Sequence, residues 1–411
     1  MKTLSVHGRA TVGQPLPQSF IVRWTPALAG LLVFFVPTSL KALVAVIWCA
    51  LLTVSWLKLI SGSRTRFGRR AVLAWLGLSL YLVGHLLFSR YPSTYLVTSL
   101  GFLCMSALYL TLSDSRRPGA NSRHDAPAFS WICLAGTAIS YLVTADVFPA
   151  TSQVAVANDS YDKNFLGVLY FLCAFWHLKR RLYGRVVIFA VAGVAIGSRN
   201  FFLMALVLLV AMALRRLSNQ IGSRRRWPKY VPGKLFALML LGPLAMVPFS
   251  VWWTSNVITA DTYRSTQGLN DRSNAVRFNS NVFAYSILML DESLWFRGYD
   301  ASLSDTLHII PSSSLDGTES SLDGAFYNGF RVVQPHNSVL NLFLRVGVLF
   351  TIVYLWILAQ LIARRRDWFP PALVFPYLTA CLIMHSLLVG PLLLLFTVVG
   401  RTTPSHDIDL N

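Results

Sequence analysis

The chain has 411 residues, 55% of them hydrophobic and only 13% charged, where an ordinary soluble domain carries about a quarter charged. That balance excludes a conventional soluble enzyme. The formal charge of +19 is dispersed in short basic clusters between apolar runs, so it reads as a topology signal and not as a nucleic-acid surface.

Apolar runs suited to crossing about 30 Å of hydrocarbon recur from Trp24 to Gly400. In chain order they cover 24–39, 40–60, 71–89, 94–112, 127–147, 164–178, 185–198, 199–214, 233–255 and 337–361. The stretch 371–400 reads either as one long span or as two short ones parted at Gly390-Pro391, with two preferred. The first 23 residues lack the basic, apolar, small-residue order of a cleavable signal, so the first span is expected to stay in the mature protein. The expected fold is an all-α polytopic membrane protein of about 11–12 transmembrane helices. It divides into an N-terminal bundle over 1–255, one long extracytoplasmic loop over 256–336, and C-terminal helices over 337–411.

Orientation follows from the basic residues. Alternate loops hold Lys2, Arg9 and Arg23, then Lys58 to Arg70, Arg116 to Arg123, Lys179 to Arg185, Arg215 to Lys234, and Arg364 to Arg366. These loops contain 25 of the 36 Lys and Arg residues, and the positive-inside rule makes their side cytoplasmic. Most carboxylates, including nine from Asp261 to Asp323, then fall outside. Within the outer loop, Asn270–Leu290 mixes Ala275, Val276, Val282, Phe283, Tyr285, Ile287 and Leu288 with polar residues. That pattern suits an amphipathic helix on the membrane face. Ser302–Phe330 is rich in Ser, Gly and Asp and reads as irregular.

Several chemistries are disfavoured. Neither G-x-x-x-x-G-K-[ST] nor a strand-based G-x-G-x-x-G occurs, which argues against an ATP-driven pump. The five cysteines (Cys49, Cys104, Cys133, Cys173 and Cys381) lie in apolar runs without metal-ligand spacing and read as small hydrophobes. Asp407-Ile408-Asp409 has a D-x-D spacing but stands in a terminal tail without an α/β domain around it. No metal or cofactor is expected.

The chemistry concentrates where the outer loop meets the next apolar run. Pro335 suits a helix entry, which places His336 at a helix start and at the mouth of a span. The partial positive charge of that helix end disfavours imidazolium, and a neutral histidine can act as a general base. Asn337 beside it can orient a substrate hydroxyl. The second group is arginine. Gly197-Ser198-Arg199-Asn200 interrupts two apolar runs, Arg272 and Arg277 lie on the loop helix, Arg297 and Arg331 flank the irregular region, and Arg345 lies inside the run after His336. Singly, such arginines are as often snorkelling anchors. Together they suggest an anionic ligand outside, because guanidinium forks match phosphate oxygens.

These residues carry a resemblance. His336-Asn337, nine residues, then Gly347 resembles the H-N-x9-G signature of the bacterial O-antigen ligase and O-antigen polymerase superfamily. Gly197-Ser198-Arg199 resembles its S-R motif, Asp162-Lys163-Asn164-Phe165 its D-x-N element, and Asp271-Arg272 through Asp291 to Gly298 its loop pattern. Phe350 departs from the small residue or Tyr that ligases tend to carry after the glycine, which weighs against the ligase.

The resemblance implies a GT-C-like membrane glycosyltransferase using undecaprenyl-diphosphate-linked oligosaccharide and an acceptor glycan, inverting and without metal. Arg199, Arg272 and Arg277 would contact the diphosphate, and His336 would activate the acceptor hydroxyl, with Asn337, Arg297 and Arg345 in support. The expected place is the bacterial inner membrane, with the site on the periplasmic face and other polysaccharide export proteins as partners. A surface-polysaccharide polymerase is the first expectation and an O-antigen ligase the second. A lipid-linked-oligosaccharide flippase is the rival from another class, disfavoured by the absence of repeated halves. A scaffold subunit is the last.

Overall fold

The computed structural model describes residues 153–156, 159–220, 231–256, 335–364, 370–384 and 391–401, with single positions within 77–81, 131–138, 278–298 and 387–388. A short antiparallel pair comes first, β1 (Gln153–Val156) and β2 (Asp159–Asp162), registered with Gln153 opposite Asp162 and Val156 opposite Asp159. The remaining elements are helices: α1 (Lys163–Lys179), α2 (Tyr183–Ala195), α3 (Arg199–Gln220), α4 (Pro232–Asn256), α5 (Leu294–Arg297), α6 (Ser338–Val346), α7 (Val348–Arg364), α8 (Pro371–Ile383) and α9 (Pro391–Arg401).

Proline and glycine set many of the boundaries. Pro232, Pro371 and Pro391 each open a helix, where a missing N–H leaves no intrahelical bond unmade. The end of α1 is closed by two reciprocal bonds, Leu182 N–H to the His177 carbonyl at 3.1 Å and Arg181 N–H to the Leu178 carbonyl at 3.0 Å. This is the double-bonded helix stop that wants a left-handed residue at its apex. Arg181 takes that position with φ of 58°, at a cost of about 1 kcal/mol relative to glycine.

Helix α1 is the centre of the fold. It is buried from Leu166 through Trp176 on every side, as an all-round apolar helix must be. Gly167 lies so close to Ser198 that a methyl group there would overlap the Ser198 hydroxyl, and the starts of α1 and α3 therefore share one end of the bundle. At the other end, Lys179 donates to the Val399 and Gly400 carbonyls at 3.1 and 3.3 Å. A cation there satisfies the open carbonyls at the end of α9.

The expected single span 337–361 is corrected to two helices, α6 and α7, which break at Gly347. The break has two physical causes. Gly347 has φ of 89°, and a Cβ placed on it would stand 2.8 Å from the Phe296 carbonyl oxygen of α5. The loop helix α5 thus seats its backbone directly on this residue. Gly347→Ala is expected to destabilise the fold by about 1–3 kcal/mol through the left-handed backbone alone. A thermal midpoint equal to that of the parent protein would remove this account.

The stretch 371–400 holds two helices, as expected, but both are short, with 13 and 11 residues. At about 1.5 Å per residue they reach roughly 20 and 17 Å. Tyr377 of α8 stacks on Phe396 of α9 with ring centroids 4.3 Å apart. Between the two helices, Met384, Leu387 and Leu388 are buried, and hydroxyl groups satisfy their carbonyls. Ser338 donates to the Met384 carbonyl, Tyr377 to the Leu387 carbonyl, and Tyr354 to the Leu388 carbonyl at 2.7 Å, while Leu387 N–H donates to Ser338 Oγ at 3.3 Å.

Among the described residues, Pro232–Trp252 of α4 is the one helix long and apolar enough to cross a membrane, with 21 residues and a mean hydropathy of 2.0. Tyr183–Ala195, Arg199–Leu214, Val348–Ala363 and Pro371–Ile383 are apolar but shorter.

Candidate functional site

The His336 region is built from the helix start outward. Asn337 is extended (φ −151°, ψ 116°) and its side-chain oxygen accepts from Val339 N–H at 3.0 Å and Leu340 N–H at 3.2 Å. It is therefore the N-cap of α6. Its Nδ2 donates to the Pro243 carbonyl at 2.7 Å, near the middle of α4. The side chain is wholly buried, and these bonds hold two helices together. This corrects the expectation that Asn337 orients a substrate hydroxyl. It also moves the helix start to Ser338, so that His336 precedes the cap, and places the pair against the middle of α4 instead of at its mouth.

That role predicts an order of stability. Asn337→Ala loses the cap, about 0.5–2 kcal/mol, and also the interhelical bond. Asn337→Ser restores a cap oxygen but cannot reach Pro243. Thermal unfolding should rank the parent first, Ser second and Ala last, and equal midpoints for Ser and Ala would dismiss the cap.

The 278–298 segment packs onto this start. Phe278, Ser280 to Val282, Ala284, Tyr285, Leu288 and Met289 are helical. Ser280, Asn281, Ala284 and Leu288 are buried while Tyr285 and Met289 are exposed. Of the expected apolar residues, Leu288 is thus buried while Tyr285 is exposed, and the buried line includes the polar Ser280 and Asn281. Ser280 accepts from His336 N–H at 3.4 Å, and Asn281 donates to Ser250 of α4 at 3.4 Å. Further on, the Trp295 indole donates to the Leu288 carbonyl at 2.7 Å, which fixes α5 above Gly347. The loop thus touches both ends of α6, Ser280 at His336 and Phe296 at Gly347. His336 is half-buried at this junction.

The second expected element is the turn between α2 and α3. Gly197, with φ of 62°, closes α2, and its N–H donates to the Val194 carbonyl at 2.8 Å. Ser198 is buried and its hydroxyl accepts from Phe201 N–H at 3.3 Å, which caps α3. Arg199 is the first residue of α3 and is exposed, whereas Asn200 is buried. The start of α1, with buried Asn164, lies one turn from the Gly167–Ser198 contact. Two motif stretches far apart in sequence therefore form one corner.

The corner and the His336 junction are linked through α8, which packs against both α3 and α6. The arrangement offers a cation at a helix N-terminus, which suits an oxyanion, and an imidazole held by a fixed backbone, which suits proton transfer. Arg272, Arg277 and Arg331 lie outside the described residues. Arg297 closes α5 and Arg345 lies in the last turn of α6. Ser280, Ser338 and Asn200 are contributors that sequence reasoning missed, since a lone Ser or Asn beside an apolar run carries no signal of its partner.

No family model, curated protein or solved structure matches the chain.

Proposed function

We propose that the protein is a polytopic, GT-C-like glycosyltransferase of a bacterial inner membrane that polymerises a surface polysaccharide. It would transfer oligosaccharide from undecaprenyl diphosphate to an acceptor sugar hydroxyl on the periplasmic face. The observation that supports this reading is that the 278–298 loop touches both ends of α6, at His336 through Ser280 and at Gly347 through Phe296. In this reading His336 takes the acceptor proton, the hydroxyl oxygen attacks the anomeric carbon from the face opposite the leaving group, and undecaprenyl diphosphate departs. Arginines meet the charge that grows on the diphosphate. Transfer to lipid A-core, the ligase reaction, needs the same chemistry with another acceptor.

Two features support a membrane setting. Large apolar side chains are exposed along α2, α3 and α4, among them Val187, Val191, Phe202, Leu206, Leu209 and Leu241, which water would not tolerate as a continuous face. The carbonyls of Met384, Leu387 and Leu388, which follow α8, accept from buried hydroxyls, as non-helical backbone at membrane depth requires.

The experiment is turnover of the purified protein with undecaprenyl-diphosphate oligosaccharide, following release of the lipid diphosphate and the length of the glycan. Long chains support polymerisation, and no release with any acceptor overturns the reading. Orientation is tested separately. A cysteine replacing Ser313 should react with an impermeant maleimide from the periplasmic side, and one replacing Arg225 should not. The reverse pattern would invert the topology.

A further inference from the structure

We infer that the turn between α1 and α2 is a binding site for the head group of an anionic phospholipid, with the acyl chains lying along α2. The inference rests on the membrane reading above but concerns the opposite end of α1 from the proposed reaction.

The turn is Lys179-Arg180-Arg181-Leu182-Tyr183-Gly184-Arg185. Arg181 and Arg185 are exposed and Arg180 is half-buried, while Lys179 is buried and engaged with the end of α9. The Arg180 guanidinium lies 4.1 Å above the Trp176 ring, and that of Arg185 lies 5.7 Å from the Trp131 ring. Trp131 and Tyr170 in turn contact Phe189 at 6.1 and 6.4 Å. Arginine set on indole at the edge of an apolar helix is an arrangement suited to the membrane–water interface.

The apex carries the sharper signal. Arg181 holds the left-handed position of a helix stop, where glycine would be unstrained. The fold thus retains an exposed cation at a position that disfavours it, and strain of this kind points to function.

From this turn a stripe of exposed apolar side chains runs along α2. Tyr183, Val187 and Val191 are 61%, 59% and 60% exposed, and their spacing of four keeps them on one face. A phosphodiester at the arginines would place acyl chains on that stripe. The charge selects the occupant, because a zwitterionic lipid offers the same tails without the net negative head group.

The test uses the full-length protein in mild detergent, with thermal unfolding followed as dioleoyl phosphatidylglycerol or dioleoyl phosphatidylcholine is added. Phosphatidylglycerol should raise the midpoint in a saturable way, and phosphatidylcholine should not. Each arginine changed to Gln should weaken the apparent affinity about 5-fold, and Arg180→Gln/Arg181→Gln/Arg185→Gln together should abolish the dependence. Arg181→Gly separates binding from folding, since it relieves the backbone while removing the charge. Its midpoint without lipid should rise, and its response to phosphatidylglycerol should fall. Equal response to both lipids in the parent protein, or a full phosphatidylglycerol response in the triple variant, overturns the inference. These readouts need no glycosyl transfer. A chain recovered in the soluble fraction would instead refute the membrane reading itself.

Discussion

Replacing His336 with Asn is expected to lower turnover about 10²–10⁴-fold, the usual cost of removing a general base. The substitution keeps side-chain size and some hydrogen bonding, so the backbone contact at 3.4 Å to Ser280 and the neighbouring cap at Asn337 should persist. What disappears is basicity. Turnover of the parent protein should also fall as pH drops through the imidazole range, because a protonated ring cannot accept the acceptor's proton. Ser280→Ala is the companion measurement. It removes one hydrogen bond to the backbone, worth about 1 kcal/mol, and leaves the imidazole in place, so the loss should stay below about 10-fold. Retention of more than about a tenth of parental turnover by His336→Asn would make the histidine a positioning residue.

Much of the helical frame was legible because its punctuation is local. Pro232, Pro371 and Pro391 begin helices, and Gly197 stops one, through backbone properties of the residues themselves. The break at Gly347 was not legible. The surrounding residues form a continuous apolar run, and a single glycine in such a run is compatible with an unbroken helix. Only the approach of Phe296 from the loop, some fifty residues earlier, shows why glycine stands there. The stop of α8 at Ile383 was hidden for the same reason, since its tip carbonyls are satisfied by Ser338, Tyr354 and Tyr377 from distant segments.

The site was read with a similar division. The role expected of Asn337 is not the one its contacts show. Asparagine before an apolar run serves equally well as a cap or as a ligand, and no Glu or Gln three residues later marks a capping box; position 340 is Leu. The bond to Pro243 decides it. The contact of the loop with α4 was not legible either: Asn281 bonds Ser250, more than a turn before the end of α4, and no sequence pattern marks that pair.

Arg199→Ala is expected to cost about 10²–10³-fold in turnover, comparable to removing one preorganised donor from a developing oxyanion. The residue is exposed at the first position of α3, with Ser198 capping the same helix start. Charge on the guanidinium and the partial positive charge of the helix end therefore act on the same space. Because the negative charge on a diphosphate grows as it leaves, the loss should appear mainly in kcat and not in KM. Arg199→Lys keeps the charge and loses the two-pronged geometry, so it should recover only part of the rate. Lys234→Ala, an exposed cation near the start of α4, removes equal charge from the basic side of the proposed topology and should leave turnover unchanged. If Arg199→Ala matches the parent protein in both constants, the guanidinium only anchors α3 at an interface, and the diphosphate must be met by the arginines of the outer loop alone.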